Sequence, residues 1–186
     1  IMAFKYPKFL AETDWLADSL SDSDLRVLDC TVFNPPDGIG GIRAESGRTS
    51  WAMEHIPGSV HADLVNDLSD NDADFRYTLP QAPQLAQAFS SYGVGAGTRA
   101  VLYDSTTGSW ATRIWWMLRA FGFDDAYILN GGLHKWKLEG RPVNSDPSNY
   151  PPAIFLANRR AGLMADKGEV LDTLDNGATC VLNALS

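Results

Sequence analysis

Between residues 9 and 143, short β-rich runs alternate with amphipathic runs, and few architectures accept that order. Val27–Val32, Ser59–Ala62, Ala100–Tyr103 and Ala126–Leu129 read as strands. Between them, Leu16 and Leu20 share one helical face after Thr13 as N-cap, Arg48–Glu54 reads as a short helix, and Leu85, Ala88 and Phe89 mark a helix over Gln84–Tyr92. From Trp110 the apolar positions Ala111, Ile114, Trp115, Leu118 and Phe121 keep helical spacing up to Gly122, and Leu133–Glu139 forms a last short helix. Strand and helix in alternation predict an α/β domain, a mainly parallel sheet flanked by helices, with active groups near the strand C-termini.

The 186 residues suffice for one domain and a remainder. Four prolines, Pro142, Pro147, Pro151 and Pro152, crowd one stretch and predict an extended linker. The expected division is a first domain over 1–145, a linker over 146–158 and a further segment over 159–186. A shift of 154 positions sets residues 9–30 on 163–184 without a gap, with identities at Ala11/Ala165, Asp18/Asp172, Leu20/Leu174, Val27/Val181 and Leu28/Leu182. Leu10 over Met164 and Leu16 over Val170 keep the apolar register, so the tail reads as the helix-then-strand opening of a second copy.

Fifteen Lys and Arg against 23 Asp and Glu leave a net charge of −8, which repels phosphate backbones and anionic headgroups. Neither a nucleic-acid nor a membrane partner is expected. The two cysteines, Cys30 and Cys180, have no metal or disulfide spacing, and no secretory leader pattern opens the chain, so a reducing, cytoplasmic setting is expected. The glycines up to Gly47 match no phosphate-binding fingerprint. Asp70, Asp72 and Asp74 imitate the start of a calcium loop, but Phe75 and Gln81 stand where glycine and a bidentate glutamate are needed, so a solvated acidic loop is expected.

Three motifs are more specific: His55-Ile56-Pro57-Gly58-Ser59, then Tyr103-Asp104 with its polar loop and the Trp110–Phe121 helix, then Leu129-Asn130-Gly131-Gly132-Leu133-His134-Lys135-Trp136. In this order they resemble the rhodanese (sulfurtransferase) family over most of residues 9–143. The helix Arg113-Ile114-Trp115-Trp116-Met117-Leu118-Arg119, the run from His55 to Asp63, and Thr78-Leu79-Pro80 resemble the N-terminal half of its two-domain members. Asn183-Ala184-Leu185-Ser186 stands where the second half of such proteins often reads Asp-Ala-Arg-Ser.

The resemblance implies that a loop cysteine accepts sulfane sulfur from thiosulfate or 3-mercaptopyruvate and passes it to cyanide or a thiol, without a cofactor. Here Asp104 occupies the cysteine position, at the head of the loop Ser105, Thr106, Thr107, Gly108, Ser109. A carboxylate suits loop amides and a helix N-terminus but is a hard, weak nucleophile toward sulfur, so this segment is expected to be silent and the nucleophile to lie in a C-terminal domain. Its partners are then a small sulfur donor and that domain.

For His55 two roles stay open, bonding to local backbone or facing the neighbouring domain's site. Trp110 is a candidate wall of the interdomain cleft. Arg113 is a candidate for holding a substrate carboxylate or for bracing a loop. Cys30 and Cys180 are expected as small buried or half-buried residues, His61 and His134 as surface or cap residues, and Trp115 and Trp116 as packing. A protein-binding module without catalysis and a phosphatase-like relative are the alternatives; the missing loop cysteine speaks against the second.

Overall fold

The structure, a computed structural model, describes residues 7–174 and 176–182. Five parallel strands form one sheet in the order β1 (Leu10–Ala11), β7 (Ala126–Leu129), β6 (Arg99–Tyr103), β2 (Leu25–Asp29), β5 (Val60–His61). The helices α1 (Thr13–Ser19), α2 (Arg48–Met53), α3 (Ala82–Ser91), α4 (Ser109–Ala120) and α5 (Gly132–Leu138) flank it. The expected α/β class with a mainly parallel sheet is therefore observed. A parallel sheet covered on both faces buries its strands on both sides, which is why β2 and β6 read as apolar runs rather than as alternations. One core cluster packs α3 and α4 on the sheet through Leu85, Phe89, Ile114 and Leu118; the other packs α1 and α5 through Leu16, Leu133 and Trp136.

The strand expected over 27–32 divides. After Asp29 the Cys30 N–H still donates to Tyr103 O at 2.7 Å, but Asp29 Oδ1 accepts from Thr31 N at 2.9 Å and turns the chain out of the sheet. Val32–Phe33 (β3) then pairs antiparallel with Glu45–Ser46 (β4). At the first helix the N-cap is Glu12 rather than Thr13, because the Thr13 hydroxyl is drawn away to Glu139 Oε2 at 2.5 Å. Helix α3 starts two residues earlier than expected, with Pro83 in its first turn, where a missing N–H costs nothing.

The proline-rich stretch is extended and bonded along its length to the α/β domain. Asn144 exchanges backbone bonds with His55 at 2.9 and 3.0 Å, and the Tyr150 hydroxyl accepts from Val27 N at 3.0 Å. Phe155 is buried between Phe89 and Phe123, with ring centroids at 5.0 and 6.0 Å. Further on, Asn158 N donates to Phe121 O, Arg160 N to Ala120 O, and Trp116 Nε1 to Leu163 O at 2.7 Å. The strap thus runs from the turn after α2 to the C-terminal end of α4.

Beyond the strap, α6 (Lys167–Thr173) occupies the positions of α1 displaced by the 154-residue shift. It opens on a reciprocal capping box between Asp166 and Glu169, with both bonds at 2.8 Å. Leu16 of α1 is wholly buried, whereas Leu171 and Leu174 of this segment are exposed. Residues 176–182 form no strand, and the Asn183–Ser186 motif lies outside the described residues.

Phe155→Ala is expected to destabilise the chain by about 3–5 kcal/mol, the usual cost of emptying an aromatic site in a core. Urea unfolding checks it: a loss well under 1 kcal/mol would mean that the strap is only loosely held.

Candidate functional site

β6 ends on Tyr103, whose ring is buried and whose hydroxyl accepts from Ile56 N at 3.2 Å and pairs with Ser59 Oγ at 2.9 Å. Asp104 comes next, at the C-terminal edge of the sheet, 2% exposed. The loop after it curls through Gly108, left-handed at φ 84°, into the first turn of α4, so successive amides point at one spot. The Asp104 carboxylate fills that spot. Oδ1 accepts from Thr106 N at 2.8 Å, Thr106 Oγ1 at 2.9 Å and Gly108 N at 3.0 Å; Oδ2 accepts from Trp110 N at 3.1 Å and Ala111 N at 3.0 Å. An anion at the positive end of α4 with bonds on both oxygens is a saturated site.

Neighbouring segments hold the loop in place. Ser105 N donates to Thr31 Oγ1 at 3.0 Å, and the Thr107 and Ser109 hydroxyls bond each other at 2.8 Å. Asp104 O accepts from Leu133 N at 3.2 Å, and a Cβ at Gly132 (φ 55°) would come within 2.7 Å of that oxygen, so the Asn130-Gly131-Gly132 turn needs glycine there. A cavity of about 680 Å³ opens beside the loop, lined by Thr106, Thr107, Ser109, Thr112, Asn130 and His134.

Of the remaining candidates, Trp110 and Arg113 lie one turn apart on α4 and both meet Tyr77. Trp110 packs on its ring at 5.1 Å, and Arg113 Nη2 donates to its carbonyl at 3.1 Å. His55 is wholly buried: Nδ1 is 2.6 Å from Trp51 O and the ring stacks on the Trp51 indole at 4.6 Å. The imidazole is therefore bonded to local backbone and enclosed within this chain. Trp115 and Trp116 pack as expected, while His134 is exposed on α5.

His61, expected at the surface or in a cap, is instead buried at the end of β5. Its ring lies between Asp29 (Nδ1 to Oδ1, 3.7 Å) and Ser46 (Nε2 to Oγ, 3.2 Å), with Asp63 Oδ2 at 4.0 Å. Asp63 also accepts from Ser46 Oγ at 2.7 Å and Asn66 Nδ2 at 2.9 Å, and Arg48 Nε approaches it at 3.7 Å. Burial alone would raise the Asp63 carboxyl, but these bonds outweigh it and hold it below its ordinary range. Strand alternation could have placed His61; the carboxylates around it come from separate segments and leave no local signal.

The cysteines separate. Cys30 is buried, at the end of β2 rather than inside it, and burial, reinforced by Asp29 and Asp104, pushes its thiol well up. Cys180, expected to be at least half-buried, is exposed, because nothing among the described residues covers that segment. Among the described residues no three His, Cys, Asp or Glu side chains gather as a metal site, and no helix is long and apolar enough to cross a membrane.

The family model of the rhodanese-like domain matches residues 12–139. The thiosulfate sulfurtransferase of Bos taurus is 35% identical over 173 residues, 90% of this chain and 56% of the relative. The 3-mercaptopyruvate sulfurtransferase of Mus musculus is 32% identical over 172 residues, 89% of this chain and 56% of the relative. The crystal structure of SseA from Escherichia coli, described with the rhodanese fold of 3-mercaptopyruvate sulfotransferases, superposes with a TM-score of 0.78 at 27% identity, covering 89% of this chain and 61% of that one. The chain thus spans a little over half the length of the curated relatives it matches.

Because the Asp63 carboxyl titrates lower folded than unfolded, its contribution to stability is complete above the unfolded value and is lost as pH falls through the folded one. Asp63→Asn should therefore flatten the acid limb of the stability curve below about pH 4; an unchanged limb in thermal scans would refute this. In the native chain a maleimide should modify Cys180 and spare Cys30 until denaturant is added, read by peptide mass. Modification of Cys30 at the native rate of Cys180 would contradict the burial.

Proposed function

The chain belongs to the rhodanese-like family, and from that premise we propose that it is the non-catalytic N-terminal part of a sulfurtransferase. The complete protein moves sulfane sulfur from thiosulfate or 3-mercaptopyruvate to cyanide or a thiol, and its nucleophilic cysteine belongs to a second rhodanese-like unit. The relatives named above carry the sulfurtransferase names, and they are nearly twice as long as the matched stretch. What supports the silent role of this part is Asp104: a carboxylate bonded by two loop amides and two amides of the first turn of α4 stands where sulfur chemistry needs a thiolate.

In a sulfur transfer of this kind the thiolate attacks the outer sulfur of the donor. With thiosulfate the S–S bond breaks and sulfite leaves; with 3-mercaptopyruvate the attack falls on its thiol sulfur, the C–S bond breaks, and the enolate that leaves takes up the thiol proton to become pyruvate. A persulfide remains in both cases, and the acceptor then takes the terminal sulfur and restores the thiolate. Asp104 cannot run that cycle, since a carboxylate oxygen is a poor match for sulfane sulfur and forms no persulfide. The first unit then contributes a rigid wall, with Trp110 and Arg113 facing the cleft and the cavity beside the loop left open. The bonds and packing of the strap as far as Met164 support a division between the units later than the linker expected over 146–158. The placement of α6 on the register of α1 supports the opening of a second copy there.

The 186-residue chain is expected to give no thiocyanate from thiosulfate and cyanide and to carry no added sulfur by intact mass. Asp104→Cys is expected to gain a donor-derived sulfur, because the same amides and helix end would hold a thiolate. Sulfur on the wild-type chain would overturn the silent role, and a full-length protein that turns over neither donor would overturn the sulfurtransferase reading.

A further inference from the structure

Arg43, Arg48, Arg99, Arg119, Arg141 and Arg160 each meet a carboxylate. Arg26, Arg76, Arg113 and Arg159 meet none among the described residues, and of these four only Arg113 has a buried nitrogen left without a partner. It is partly buried, its Nε is enclosed without a partner, and its one bond goes to the neutral carbonyl of Tyr77. Burial lowers its pKa with nothing offsetting it, the signature of a cation that has lost water without gaining a counter-charge.

The carbonyl it holds is itself unusual. Tyr77, at φ 60°, is the one non-glycine residue of the described chain in the left-handed region, a conformation that bulky side chains avoid and that persists only where neighbours impose it. Here Tyr77 is fixed three times: by Arg113 at its carbonyl, by Trp110 at its ring, and by Asn34 Oδ1, which accepts from its hydroxyl at 2.6 Å. Arg76 on the same loop donates to Ile42 O, and this part of the surface leaves Ile42 and Phe75 exposed, Phe75 at 78%. Tyr, Trp and Arg fixed beside uncovered apolar side chains are the composition of an interface centre, with a cation ready for an anion.

We infer that Arg113, framed by Tyr77 and Trp110, is a docking notch for a carboxylate side chain on the second rhodanese-like unit of the same polypeptide. The inference rests on the two-unit reading above for the identity of that partner. The carboxylate supplies the counter-charge that this chain withholds, and the apolar side chains around the notch give the covering surface something to bury. Arg113 is then a positioning residue: it orients the two units and takes no part in bond making.

The test follows the Nε–H resonance of Arg113 by nitrogen-15 NMR. In the 186-residue chain, acetate added at constant ionic strength should shift it saturably, and no shift would overturn the notch. In the full-length protein the resonance should lie at the acetate-bound position with no acetate added and should not respond to acetate or thiosulfate. A signal that still titrates there would mean that the site serves free small anions, which overturns docking even if sulfur transfer is normal. Conversely, a silent full-length enzyme with a filled Arg113 would sink the functional reading and keep the notch. As a control on mere bracing, Arg113→Met in the 186-residue chain should keep its Tm within about 3 °C of wild type, because relief of desolvation offsets one neutral bond; a larger fall would assign Arg113 to the loop alone and overturn the inference.

Discussion

One carboxylate organises the C-terminal edge of the sheet. The Asp104 side chain gathers amides from the loop and the first turn of α4, and its own carbonyl receives the amide of Leu133 at the start of α5. Buried N–H groups left without an acceptor cost about 1–3 kcal/mol each, so a loop of this shape needs an anion at its centre whether or not it does chemistry. Here the protein supplies that anion covalently. The shape of the loop follows from folding, because its inward amides are satisfied only when an acceptor stands at their centre.

A second polar centre ties the same edge to the rest of the sheet. His61 lies between Asp29 and Ser46, Asp29 turns the chain at Thr31, and Thr31 in turn holds the amide of Ser105. Three segments far apart in sequence thereby fix the start of the loop. Tyr103 does the same for the His55 turn through its hydroxyl. The turns along this edge are thus bonded to one another and to the end of β6.

Much of this was legible in the sequence, and the reasons differ by element. The helix from Trp110 was readable because Ala111, Ile114, Trp115 and Leu118 keep one face, and the structure buries all four. Asp104 was readable because strand, polar loop and helix follow one another in the chain. His61 was not, since its partners Asp29, Ser46 and Asp63 are scattered. The split of Val27–Val32 was hidden because β propensity says nothing of which sheet a strand joins. The prolines announce an extended segment, but its attachment depends on Phe155, one aromatic whose destination is set by Phe89 and Phe123, which lie far back along the chain.

That attachment bears on the order of events as the polypeptide is made. A ribosome delivers the sheet and its helices first, and at that stage the hollow beside Phe89 and Phe123 is still unfilled and wet. Only when Phe155 emerges is it plugged, and Leu163 must follow before the Trp116 indole finds its acceptor. The α/β domain therefore reaches its final stability only after residues 155–163 have left the tunnel, well behind its last strand and helix.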